Sequence, residues 1–158
     1  MTKRAAVGAT VCLVGLAVFQ LLLAAGAPFG EAAWGGDTKG RLSPALRTGS
    51  ALSIVVYAVA AALMLRRAGF RVWFVPRRVA RIGSWVLVVL LALGTLANFA
   101  SQSPWERLVL GPVTLVLTGL CLVVASSPIG DTGDAAGQRL GSRRATHRTT
   151  SQGSGRSR

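Results

Sequence analysis

The chain has 158 residues, with 18 Lys and Arg against 5 Asp and Glu, a net charge of +13 and a mean hydropathy of +0.51. It is 51% apolar and only 15% charged, where a soluble domain carries roughly a quarter of its residues as charges. Its apolar residues come in long charge-free blocks, which exclude a soluble enzyme, a collagen-like chain and a wholly disordered chain, while two cysteines are too few for a disulfide scaffold.

A membrane helix needs about 20 mainly apolar residues to cross about 30 Å of hydrocarbon. Helices pair their own backbone groups in lipid, whereas barrel strands read as alternating segments of about ten residues. Four charge-free runs fit the helical pattern, and the expected fold is all-α: a four-transmembrane-helix bundle with short outer loops. The first span is expected near 6–27, behind the basic pair Lys3 and Arg4. Ala25-Gly26-Ala27 mimics a signal-peptidase site, but the apolar run is far longer than a signal h-region of about 7–15 residues, and Pro28 follows the small residues directly. A retained helix is therefore expected. Cys12 in this span and Cys121 in the fourth lie at similar depth, far apart in sequence, and read as buried inert thiols.

The second span is expected near 46–65, opened by Ser43 as N-cap and Pro44 at the first helical position. The following loop carries Arg66, Arg67, Arg71, Arg77, Arg78 and Arg81, interleaved with Phe70, Trp73 and Phe74. It is expected to be at least a positive-inside signal, and it could also lie flat on anionic headgroups. The third span falls near 82–101 and the fourth near 106–126. Ser103-Pro104-Trp105-Glu106-Arg107 repeats the opening of the second span, with Ser103 and Glu106 spaced as a capping box. The repeat reads as two ordinary caps or as a doubled helical hairpin. These spans make residues 1–127 a membrane domain. From residue 128 onward the chain is rich in Ser, Thr, Gly and Arg, and reads as a disordered basic cytoplasmic tail, residues 128–158.

Basic residues set the orientation. With the N-terminus inside, fourteen of the eighteen face the cytoplasm and four, Lys39, Arg41, Arg47 and Arg107, face out. Both termini are then cytoplasmic, with Trp34 and Trp105 at the outer interface and Trp73 and Trp85 at the inner one. Small residues at heptad spacing are expected to pack the bundle: Ala5, Gly8, Cys12 and Gly15; Ser50, Ser53, Tyr57 and Ala60; Gly94, Asn98 and Ser101; Gly111, Thr114, Thr118, Cys121 and Ala125.

No catalytic constellation, cofactor motif or metal-ligand cluster stands out, and the one histidine, His147, falls in the tail. The candidate site is a polar cluster at the outer face formed by Glu31, Trp34, Arg47, Asn98, Ser101, Glu106 and Arg107, with Gln20 below it. Arg47 is expected to pair with Glu106 or Glu31 and so hold the first outer loop over the bundle.

Several of these residues also carry a resemblance. Ala33-Trp34-Gly35-Gly36, Leu42-Ser43-Pro44-Ala45-Leu46-Arg47 and Asn98-Phe99-Ala100-Ser101-Gln102-Ser103 with Glu106-Arg107 resemble a group of small, uncharacterised four-helix integral membrane proteins of actinobacteria and bacilli. The likeness covers about residues 10–126. It implies a bacterial plasma membrane and the four-span topology, and it implies no activity. The leading functional expectation is a non-enzymatic accessory or envelope component. The alternatives are a small transporter or efflux subunit, and a lipid-acting enzyme using Glu31 or Glu106 at the outer face. The bilayer, with anionic headgroups at the inner face, is the expected partner. A membrane-protein partner or a homo-oligomer stays open, and no specific nucleic acid is expected.

Overall fold

The computed structural model describes residues 1–127, and the expected tail lies outside the described residues. Those residues are all-helical. The long helices are α1 (Thr2–Ala25), α2 (Pro44–Arg67), α3 (Arg77–Ala100) and α4 (Gly111–Ser126). A π-helical turn, Glu106–Leu110, runs straight into α4, so that Glu106–Ser126 is a single apolar segment. All four segments are long and apolar enough to cross a membrane. They lie within a few residues of the expected spans, each of the first three extended at its polar end by basic residues or by Pro44.

Successive helices run antiparallel. The most extensive contacts join α1 to α2 and α3 to α4, and α1–α4 and α2–α3 contacts close the ring. One end of the bundle, the arginine end, gathers Lys3, Arg4 and the α2–α3 turn. The other, the loop end, carries the α1–α2 and α3–α4 connections.

Local chemistry explains where the helices stop. Gly26 takes φ +93°, and Gly26 N–H and Ala27 N–H donate to the Leu23 and Leu22 carbonyls, the paired C-terminal bonds a left-handed glycine allows. The same pattern ends α2: Gly69 has φ +89°, with Gly69 N–H to Arg66 O and Phe70 N–H to Leu65 O. Arginines satisfy further terminal carbonyls, where cations are also favoured by the helix dipole. Arg47 Nε donates to Ala24 O at 2.9 Å and Arg41 Nε to Gly26 O at 2.8 Å, while Arg67 Nη2 donates to Ala125 O and Ser127 O at 2.7 and 3.0 Å. The π-helical turn sits directly before Gly111-Pro112. Pro112 has no N–H for the Leu108 carbonyl and its ring crowds that carbonyl, so the backbone widens there.

On α1, and at Gly94 on α3, the inward faces differ by about one position from the expected small-residue stripes, whereas on α2 Ser50 and Ala60 are buried as expected, joined by Met64. On α1 the buried residues are Ala6, Ala9, Leu13 and Leu23 rather than Ala5, Gly8, Cys12 and Gly15. On α3 they are Ala80, Ser84, Val88 and Thr95, and Gly94 faces open space. On α4, Gly111, Cys121 and Ala125 are buried as expected, joined by Leu117 and Val124. Helix rotation follows the fit of large side chains between backbones as well as the small residues, which is why a small-residue heptad alone misplaces the face of α1. The main core, including Leu13, Met64, Leu117 and Val124, fills the arginine half, and a smaller cluster of Leu23, Ala33 and Leu42 sits at the loop end. Cys12 packs against the main core and Cys121 lies inside it, both as free thiols.

Candidate functional site

The loop end is roofed by the α1–α2 connection. This segment holds two short 3-10 turns, Gly30–Ala32 and Trp34–Gly36. Three successive residues there take positive φ: Trp34 at +57°, Gly35 at +87° and Gly36 at +80°. Trp34 is the one non-glycine with positive φ among the described residues, a backbone cost that the surrounding contacts must outweigh. Its indole Nε1 donates to Ser50 Oγ on α2 at 3.2 Å, and its ring lies against Gly49, where a Cβ would come within 2.9 Å of it.

The left-handed run turns the Gly35 N–H toward the π-helical turn that precedes α4, where it donates to Glu106 Oε1 at 3.0 Å. Ser103 Oγ donates to the Glu31 carbonyl at 2.7 Å and accepts from Glu106 N–H at 3.4 Å. Half of the expected capping box is therefore made, and the Glu106 carboxylate reaches across to the loop instead of back to the Ser103 N–H, which is taken by Ser101 Oγ at 3.1 Å. Gly36 closes the contact, since a Cβ there would lie 2.7 Å from Ser103 Cβ.

Under this roof lies a cavity of about 570 Å³. Its polar lining comes from all four helices and the roof: Gln20 on α1, Ser53 and Tyr57 on α2, Asn98 on α3, Thr114 on α4, and Trp34 and Asp37 above. Ser101, Gln102 and Glu106 complete it at the α3–α4 turn. Glu106 is only 8% exposed. Among the described residues no donor meets its second carboxylate oxygen, and the buried Gln20 Oε1 has no hydrogen-bond partner. The α3–α4 wall is zipped by Asn98 Nδ2 donating to Thr114 Oγ1 and by the Thr95–Thr118 hydroxyl pair, both at 3.2 Å. No Lys or Arg lines the cavity.

A second, apolar groove of about 650 Å³ lies between α1, the start of the roof and α4. Leu16, Phe19 and Leu110 border both spaces. Gly15 lies on the groove's floor, which explains why a Cβ there would meet nothing.

Of the seven expected site residues, Trp34, Asn98, Ser101 and Glu106 come together around the cavity. Glu31 is exposed, lends its carbonyl to Ser103 and borders the apolar groove. Arg107 is exposed and does not line the cavity. The expected ion pair is a correction: Arg47 joins neither Glu106 nor Glu31, because its guanidinium caps the α1 C-terminus while Glu106 takes the Gly35 N–H. Asp37 and Gln102 line the cavity although the sequence does not mark them as site residues, and so do Ser53, Tyr57 and Thr114, whose heptad positions point to packing. The clue available in the sequence was their polarity, since a purely packing stripe in lipid needs small residues rather than a phenol. Among the described residues no group of three or more His, Cys, Asp or Glu side chains gathers as metal ligands. Comparison with protein-family models, curated proteins and solved structures finds no match for this chain.

Proposed function

We propose that this chain is a non-enzymatic multi-pass protein of a bacterial plasma membrane, with both termini cytoplasmic, whose loop end faces outward and receives a ligand in the polar cavity. In this reading it is an accessory or envelope component, and the resemblance to small four-helix membrane proteins of actinobacteria and bacilli belongs to the same proposal. The observation that carries it is the cavity itself: about 570 Å³ of space around a buried carboxylate and an unmet amide oxygen, in a membrane-length bundle. That volume lies in the range of small-molecule sites, about 300–1,000 Å³, and polar groups inside a membrane bundle generally face a partner, a cavity or a pathway. The fourteen-to-four split of basic residues supports the orientation.

Topology and accessibility test it together. Reporter fusions after residue 37 and after residue 158 should report opposite sides of the membrane. In a variant with Cys12 and Cys121 replaced by Ala, Ser101→Cys should react with a membrane-impermeant maleimide added outside intact cells. Same-side reporters would overturn the topology, and a Ser101→Cys thiol that stays unlabelled would overturn an open outer cavity.

A further inference from the structure

The cavity's chemistry is one-sided. Glu106 and Asp37 are its charged residues, and neither a Lys nor an Arg lines it. One oxygen of the buried Glu106 carboxylate takes the Gly35 N–H, and the second has no donor among the described residues. Gln20 Oε1 is buried without a partner, although the Gln20 amide also meets Tyr57, and Asn98 gives one amide N–H to Thr114 and keeps its carbonyl oxygen free to accept. The charge in the lining is all negative, and no cationic side chain among the lining residues offsets it. Aromatic rings stand among these groups: Trp34 in the roof, Tyr57 on α2 and Phe19 on α1. Carboxylate and ring faces together attract an organic cation, the ring through its quadrupole and the carboxylate through its charge.

We propose that the cavity binds a small organic cation, an ammonium compound with an apolar body, whose charged group sits between Glu106 and Asp37 and whose body lies against Trp34, Tyr57 and Phe19. This rests on the reading of the cavity as a ligand site and adds the ligand's chemical class. The apolar groove behind Leu16, Phe19 and Leu110 gives a longer apolar body a neighbouring place to lie.

The test compares three aromatic probes on the full chain in detergent: benzyltrimethylammonium, its uncharged carbon isostere neopentylbenzene, and the smaller anion benzoate. Binding is read as quenching or shift of Trp34 emission, in a variant whose other three tryptophans are replaced by Phe, and by calorimetry on the wild-type chain. The ammonium should bind more tightly than its isostere by about tenfold or more. Glu106→Gln is the informative variant, because a Gln carbonyl still accepts the Gly35 N–H and keeps the roof in place. It should erase most of that difference while leaving the isostere unchanged, and Asp37→Asn should reduce it less. Equal binding of ammonium and isostere, or preference for benzoate, would overturn the cation assignment and leave the ligand site standing. Failure of all three probes to bind would overturn both.

Discussion

Toward the arginine end the helices close on one another: Leu13, Met64, Leu117 and Val124 are almost wholly buried, and Ala6, Ala9, Ala60 and Ala125 let the backbones approach. Toward the loop end the same helices enclose a polar cavity and border an apolar groove. The difference follows from the residues each half presents. Alanine, leucine, methionine and valine interdigitate without leaving polar atoms to satisfy, so the arginine half can be filled. Gln20, Ser53, Tyr57, Asn98 and Thr114 border a space, and only part of their hydrogen-bonding capacity is met by one another, as in the Asn98–Thr114 bond, or by their own helices. The loop half is then held by its rim, through the roof bonds of Trp34, Gly35 and Ser103. A filled half carries stability and a hollow half has room for function, and the two can be perturbed separately.

The largest effect should come from opening the filled half. Leu117 is 0% exposed at the bundle centre, and Leu117→Ala should destabilise the protein by about 2–5 kcal/mol through loss of packing and the void left behind. Leu110→Ala, at a side chain that already borders both open spaces, should cost only about 1 kcal/mol, since little new void is made. Reversible unfolding in mixed micelles measures both. Equal losses would erase the distinction between the halves.

The roof should come next. Gly36 has φ +80° and its absent Cβ leaves room for Ser103. Gly36→Ala meets both a strained backbone and a contact at 2.7 Å, and should lift the roof at a cost of about 1–3 kcal/mol. Amide exchange should quicken at residues 33–36 and remain slow at 117–124. Protection unchanged in the roof would mean that it is held by something other than the Gly36–Ser103 approach.

Sequence and structure agree most where physics is local and strong. Charge-free length placed four spans, and Ser43-Pro44 and Ser103-Pro104 marked two helix starts. Trp34, Asn98, Ser101 and Glu106 were singled out because polar groups near a membrane span need a reason. What could not be read was rotation and pairing. A shift of one residue turns a helix by about 100°, so Gly94 and Thr95 compete for the same inward place, and only the neighbouring helices decide. Asp37 looked like an ordinary loop acid, because its place in the roof depends on three positive φ angles before it. The π-helical turn has its sequence signal in Pro112, six residues after Glu106, but proline in a helix can end it, kink it or widen it, and the pattern alone does not choose among these.

The smallest effect should come from Arg47, and it bears on how the halves are fastened. As a partner of Glu106 it would have been a buried ion pair, whose disruption costs about 3–5 kcal/mol. As a cap it makes a hydrogen bond from Nε to the Ala24 carbonyl at the end of α1, where Arg41 also donates to Gly26 O. Arg47→Ala should then cost only about 0.5–1.5 kcal/mol, because Ala24 O lies at a helix end within reach of water. Arg47→Lys should recover part of that loss, since an ammonium can donate to the same carbonyl without the guanidinium's fixed geometry. The cavity should be untouched: no arginine lines it, so ammonium binding should stay within about twofold of wild type. A loss of several kcal/mol in Arg47→Ala, rescued by removing the Glu106 charge, would restore the ion pair and join the α1 cap to the cavity rim as one unit.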